Sequence, residues 1–331
     1  MPNRAEIGRF KLTLEELTFA GEGLHRPECI LCTRSGNMYV SDSRGGVTWI
    51  KPDGNQQLIV RGPEDSNPGI LVNGIAMERD GSFLLADIAG EGGVWRLTRQ
   101  GSLTPVVQEA DGLSLKVCNY VGIDAQGRKW ISISTRQPRR ELAYRPGLDD
   151  GFIVLLDDKG ARVVADGLGF TNEVRPDPTG VYLYAIETFS RRLTRFRLGA
   201  DGSLSDRETV VSFGAGTFPD GLTFDAEGGI WITGPISNRI IRIDRDGREQ
   251  LVLEDYDPGF LAGVEQALAS GGLGRPQLDR PPPSKVLKGI ASLAFGGPDL
   301  RTAYVGCLLG DRLAVFRSPV AGVPPVHWDY N

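Results

Sequence analysis

A glycine-marked turn follows a β-like run six times along this chain, at Gly36, Gly81, Gly127, Gly180, Gly228 and about Gly297. The spacings are 45, 46, 53, 48 and 69 residues. A period near 45 leaves room for four short strands per unit, which is what the blades of a β-propeller require. A second regularity lies on top of the first. Eight residues before five of these turns stands an oxygen-bearing side chain: Glu28, Asn73, Asn119, Asn172 and Asp220. The sixth unit carries Ala291 or Ser292 at about that place. In a propeller the first strand of each blade lines the central channel. One polar atom at one register of repeated units therefore describes a ring at one mouth of that channel.

The individual blades read as strands. In the first unit Cys29–Thr33, Asn37–Ser41, Val47–Lys51 and Gln57–Arg61 are four successive strands. Later units echo it with Ser82–Asp87, Lys129–Ser134, Val181–Glu187 and Gly229–Thr233 as second strands. Asp53-Gly54, Asp201-Gly202 and Asp246-Gly247 are tight turns before fourth strands. The expectation is an all-β, six-bladed β-propeller of four-stranded antiparallel blades, one domain over residues 1–331. Helical periodicity is confined to Gly259–Ser270, where Phe260, Leu261, Val264, Ala267 and Leu268 share one face. That segment lies in an insertion, 254–288, between blades five and six. Residues 135–151 form the longest loop between a second and a third strand. Both segments are expected to overhang the channel mouth as lids. The run Lys11–Ala20 is expected to close the ring as the outer strand of blade six, beyond Leu313–Arg317. WD dipeptides do not repeat, which argues against a WD-repeat scaffold.

Composition excludes several classes of partner. The net charge is −5, with no block of like charge, so nucleic acid is not expected. No apolar run of spanning length and no signal-peptide pattern are read, which points to a cytoplasmic protein away from membranes. Cys29 and Cys32 form a C-x-x-C, but in a strand residues three apart point to opposite faces. Buried free thiols are expected rather than a zinc or redox site.

The polar ring has a definite chemistry. Asn73-Gly74 and Asp220-Gly221 could serve as turn dipeptides, yet five matches at one offset are hard to assign to turns alone. Glu28 and Asp220 supply two negative charges, and Asn119 and Asn172 supply neutral carbonyl oxygens. All-oxygen ligation with two carboxylates suits Ca²⁺, with Mg²⁺, Mn²⁺ or Zn²⁺ as alternatives. Asn73 is a candidate for touching a bound substrate, as is His25, three residues before Glu28 at the same mouth.

The motifs Arg26-Pro-Glu28, Val72-Asn-Gly-Ile-Ala76, Asn119 ahead of Gly122-Ile-Asp, Phe170-Thr-Asn-Glu173, Glu187-Thr-Phe-Ser190, Phe218-Pro-Asp-Gly-Leu222 and Phe295-Gly-Gly-Pro-Asp299 span nearly the whole chain. On these residues it resembles the senescence-marker-protein/gluconolactonase/luciferin-regenerating-enzyme family of calcium-dependent six-bladed propellers. The resemblance implies that Glu28, Asn119, Asn172 and Asp220 are metal ligands. It also implies hydrolysis of a lactone or related ester, with the metal polarising the carbonyl and Asp220 as general base. Glu187 is the alternative base, and Arg26, Glu187, Asn73 and His25 complete the expected substrate contacts. Sugar-lactone members carry an Arg two residues before the blade-three Asn; here Val117 stands there, which admits a less polar lactone. Arg136, Arg139, Arg140 and Arg145 on the 135–151 loop either pair with Glu141, Asp149 and Asp150 or read a substrate carboxylate. The competing readings are a non-catalytic propeller scaffold and an enzyme acting on another bond, such as a phosphotriester hydrolase or a synthase-like propeller.

Overall fold

The marker glycines explain why the chain folds back where it does. In the computed structural model, which describes residues 7–62 and 69–330, all six take left-handed φ, from 71° at Gly180 to 83° at Gly81. An L side chain is strained there, so glycine fixes the hairpin between first and second strands. Several of these turns are also capped from the side, as by Asp177 at Gly180, which accepts the Val181 and Tyr182 N–H. The Asp124 carboxylate accepts the backbone N–H of Gln126 and Arg128 and the indole N–H of Trp130. Asp225 repeats this with Glu227, Gly229 and Trp231.

Between the turns the strands assemble into six four-stranded antiparallel sheets, ordered in sequence from channel to rim in the first five. The innermost strands are Ile30–Cys32, Val72–Met77, Cys118–Ile123, Thr171–Pro176, Leu222–Phe224 and Ile290–Gly296. Burial falls from the axis outward. Val72–Met77 and its neighbour Phe83–Asp87 are buried at every residue, whereas the outer strand Leu204–Ser212 is mostly exposed. Blades packed face to face cover both sides of an inner strand, which is why these strands read as continuous apolar runs. A small hairpin, Glu109–Ala110 with Leu113–Ser114, lies between blades two and three.

The ring closes as expected from the sequence, with a shorter strand. Thr18, Phe19 and Ala20 pair antiparallel with Val315, Ala314 and Leu313. Leu14–Glu16 ahead of them is a turn of 3-10 helix instead of strand. Residues 322–330 cross the end of the ring away from the first-strand starts. Val323 N–H donates to the Phe224 carbonyl, and Arg34 N–H donates to the Trp328 carbonyl.

The late insertion contains helix α1, Pro258–Ala269, and the single turn α2, Arg275–Leu278. Asp257 starts α1 by accepting the Phe260 N–H at 2.7 Å, with Pro258 at the first helical position. Among the described residues no helix is long and apolar enough to cross a membrane. Cys29 and Cys32 are free and buried in two different apolar clusters, one on each side of their sheet.

Candidate functional site: a polar ring at the channel mouth

Three of the five polar residues are released from the β-ladder by irregularities of the strands that carry them. Register shifts fall between Val72 and Ile75, Cys118 and Tyr120, Thr171 and Val174, and Ile290 and Ser292. A bulge leaves a residue without a cross-strand partner and re-aims its side chain. Asn73, Asn119 and Asn172 occupy three of these bulges, and Ala291 the fourth. Glu28 and Asp220 lie just ahead of the strands Ile30–Cys32 and Leu222–Phe224. All five polar side chains are buried and line one cavity of about 290 Å³.

Their hydrogen bonds order the floor of that cavity. Asn73 Nδ2 donates to Glu28 Oε1 at 2.7 Å, to the Asn119 carbonyl at 2.9 Å and to Asn119 Oδ1 at 3.1 Å. Asn119 Nδ2 donates to Ser134 Oγ at 3.0 Å, and Asn172 Nδ2 to Thr188 Oγ1 at 3.1 Å. With the amide nitrogens tied back, two of the three amide oxygens are left over, while Asn119 Oδ1 accepts from Asn73. Asn73 Oδ1 and Asn172 Oδ1 are buried without a partner. Arg26, held at a left-handed φ of 54°, donates to Glu28 Oε2 at 2.9 Å and also lines the cavity.

Electrostatics point the same way. Burial raises the Glu28 carboxyl to about 7 against the opposing charge of Arg26, with Glu173 adding to the rise. Burial, then the charges of Glu28 and Glu173, hold Asp220 well above the ordinary carboxylate range. Two carboxylates here are costly to ionise together without a cation between them. Orphaned amide oxygens beside two such carboxylates fit a hard divalent cation. Among the described residues no three His, Cys, Asp or Glu side chains cluster as a metal site, so the amides must complete any such set.

Two expected substrate contacts lie off the cavity wall. Glu187 does not line the cavity. Its carboxylate accepts from Arg192, Arg207, Thr194 and the Gly169 N–H, and these bonds tie blade four together. His25 is exposed and also absent from the cavity wall. Val117 is 2% exposed and supplies only a carbonyl to the Ser134 N–H. The upper wall is aromatic instead: Tyr144, Phe170, Phe189 and Phe218 stack with centroids 4.9–6.0 Å apart.

The SMP-30/Gluconolactonase/LRE-like region model matches residues 26–254, more than half of the chain. The chain belongs to this family. The 6-deoxy-6-sulfogluconolactonase of Pseudomonas putida is 26% identical over 233 residues, 69% of this chain and 66% of that protein. A gluconolactonase structure from Xanthomonas campestris superposes with a TM-score of 0.67 at 17% identity, covering 92% of this chain and 89% of that one. A calcium-binding protein, regucalcin, from Agrobacterium tumefaciens strain C58 gives 0.66 at 18% identity, over 95% and 98%. Both structural likenesses describe the fold.

In this SMP-30/gluconolactonase/LRE-like propeller a set of hydroxyls, not anticipated from sequence, joins neighbouring blades from the third round to the first. Ser134 Oγ donates to the Thr171 carbonyl, Thr188 Oγ1 to that of Pro219, and Thr233 Oγ1 to that of Ala291. Ser292 Oγ, on blade six, donates to the Glu28 carbonyl of blade one. The same Ser134 and Thr188 hydroxyls receive the Asn119 and Asn172 amides. The available signal was a Ser or Thr closing or just following the second strands, 13–16 residues after the polar residue of the same blade.

Proposed function

We propose that this protein is a divalent-cation-dependent hydrolase that opens a lactone or related ester, with Ca²⁺ as the favoured ion. The observation that carries the reading is the cavity floor, where two buried carboxylates meet unpartnered amide oxygens. The names of the relatives support the reaction class, and the name of the regucalcin relative supports the ion. Glu28, Asn119, Asn172 and Asp220 are the residues to hold the cation, with Asn73 orienting Glu28 and Asn119 from behind. Bound there, a divalent cation supplies Lewis acidity toward a substrate carbonyl. Asp220 is the candidate to accept the proton of the attacking water, since Glu187 is committed to Arg192 and Arg207. The water oxygen joins the acyl carbon, the ring C–O bond breaks, and the proton passes to the departing alkoxide. Arg26 holds Glu28 in place at the rim of the same floor.

The test is a panel of lactones and esters with the purified protein, before and after EDTA, with Ca²⁺, Mg²⁺, Mn²⁺ or Zn²⁺ restored separately. Turnover is expected with the native protein, lost with EDTA and recovered with Ca²⁺. Asp220→Asn is expected to keep the fold and lower kcat by about 100-fold or more, the scale of a lost general base. Absence of turnover on the whole panel at every metal would refute the hydrolase reading and favour a binding scaffold.

A further inference from the structure

The wall above the polar floor holds a cation without a counter-ion. Arg140 lines the cavity, and its Nε is buried with no hydrogen-bond partner. The acids near it in sequence are engaged elsewhere. Glu141 faces Arg139 at 3.9 Å and Arg275 at 3.5 Å. Asp149 pairs with Arg192, and Asp150 accepts from Thr135 and Gln137. Asp166 is taken by Arg136, and Asp279, at the rim of the same cavity, faces Arg275 at 3.6 Å. Glu28 feels the Arg140 charge, yet its ion pair is with Arg26. Among the described residues Arg140 has no ion pair, although Arg136, Arg139, Arg191 and Arg275 around it do.

The surroundings of Arg140 define what would satisfy it. Tyr144 is one helical turn further along the same loop and stacks on Phe170 and Phe189. Phe218 and Phe260 extend the apolar wall, and Val264 and Leu268 of α1 back it. A polyhydroxylated ring against this wall would leave hydroxyls unpaired, whereas an alkyl or aryl body buries apolar area there. Position 117, where a sugar-reading arginine is expected, is a buried valine that does not reach the cavity.

We infer that Arg140 is a specificity-determining residue that reads an anionic group, carboxylate or sulfonate, on a substrate whose body is apolar. This deepens the lactone-hydrolase reading and rests on it for the reacting bond alone. The substrate is then an alkyl- or aryl-bearing lactone with a second, negatively charged end. The reactive carbonyl faces the polar floor and the anion faces the lid.

Binding calorimetry separates this from the hydrolase reading. Three probes share one 4-phenylbutyl body: 4-phenylbutane-1-sulfonate, 5-phenylpentanoate and 4-phenylbutan-1-ol. The native protein is expected to bind at least one anion about 10- to 100-fold more tightly than the alcohol, the scale of a charge-assisted pair. Arg140→Gln is expected to erase that gap and leave alcohol affinity unchanged, which also reports that the pocket is intact. Arg140→Lys should keep part of the gap. Arg26 and Arg280 line the same cavity, so a gain of either anion is placed at Arg140 only where Arg140→Gln removes it; a gain that survives Arg140→Gln, for carboxylate or sulfonate, overturns the proposal. Equal affinity of all three probes for the native protein also overturns it. A lactone panel without turnover, alongside an Arg140-dependent gap, defeats the hydrolase reading and leaves the anion site standing.

Discussion

Ser134 shows how little separates scaffold from site at the level of one side chain. Its hydroxyl accepts the Asn119 amide and donates to the Thr171 carbonyl of the next blade. Ser134→Ala leaves both groups buried and unpaired, at a cost of about 1–3 kcal/mol. The expected outcome is an unfolding free energy from urea titration lowered by that amount, together with weaker cation binding by calorimetry. A second residue-level prediction concerns the thiols. Burial pushes Cys29 and Cys32 up to about 12 and Cys307 up to about 11. All four cysteines should therefore be silent to a thiol reagent such as DTNB at pH 8 until denaturant is added. Fast labelling of Cys29 or Cys32 in the native protein would contradict the burial described above. The five polar residues were readable because each stands at a fixed offset from a glycine that must take positive φ. The hydroxyls were not, since Ser and Thr recur throughout the chain and the carbonyls that accept from them become neighbours only across a blade boundary. Glu187 looked like a site residue for want of any sequence sign of the two arginines that enclose it.

Among the elements, the inserted segments 135–151 and 254–288 differ from the blades in how they are held. Helix α1 is fastened by Glu265, whose two oxygens lie 2.8 Å from Arg191 Nη2 and which also accepts the Gly216 N–H at 2.6 Å. Its apolar face joins the loop of Tyr144 through Val264, Leu268 and Phe218. Glu265→Ala should loosen this anchor by about 1–3 kcal/mol while the ring keeps its stability. Hydrogen exchange would show faster exchange confined to residues 258–278, and any substrate held by the aromatic wall should show a raised KM. The 3.6-residue period made α1 visible in the sequence to within a residue at each end. The aromatic wall was not visible, because Tyr144, Phe170, Phe189 and Phe218 come from separate loops whose meeting depends on blade packing. The bulges escaped notice for a similar reason: a register shift is a property of two strands, and a single strand carries no mark of it.

For the whole ring, the decisive contact is the one between residues far apart in the chain. Thr18 and Val315 are 297 positions apart, so forming their contact directly from an open chain would carry a loop-closure cost of about 5 kcal/mol. Stacking of the blades between them brings the ends together and removes most of that cost, which makes closure cooperative with the ring. A variant lacking residues 1–20 should lose more stability than three strand pairs alone account for, and thermal unfolding should broaden. Closure itself was foreseeable from a β-like run ahead of the first unit. Its contraction to Thr18–Ala20 reflects the local preference of Thr13, whose backbone N–H is capped by Glu16 to start a helical turn. Such a short clasp, all of it at the rim, can let go without disturbing the floor of the cavity. Two copies that have each let go present the same free edge, Leu313–Arg317, and the same free strand. Concentrated protein held at mild heat would then exchange clasps between rings, giving linked pairs that persist on dilution and keep both polar floors intact.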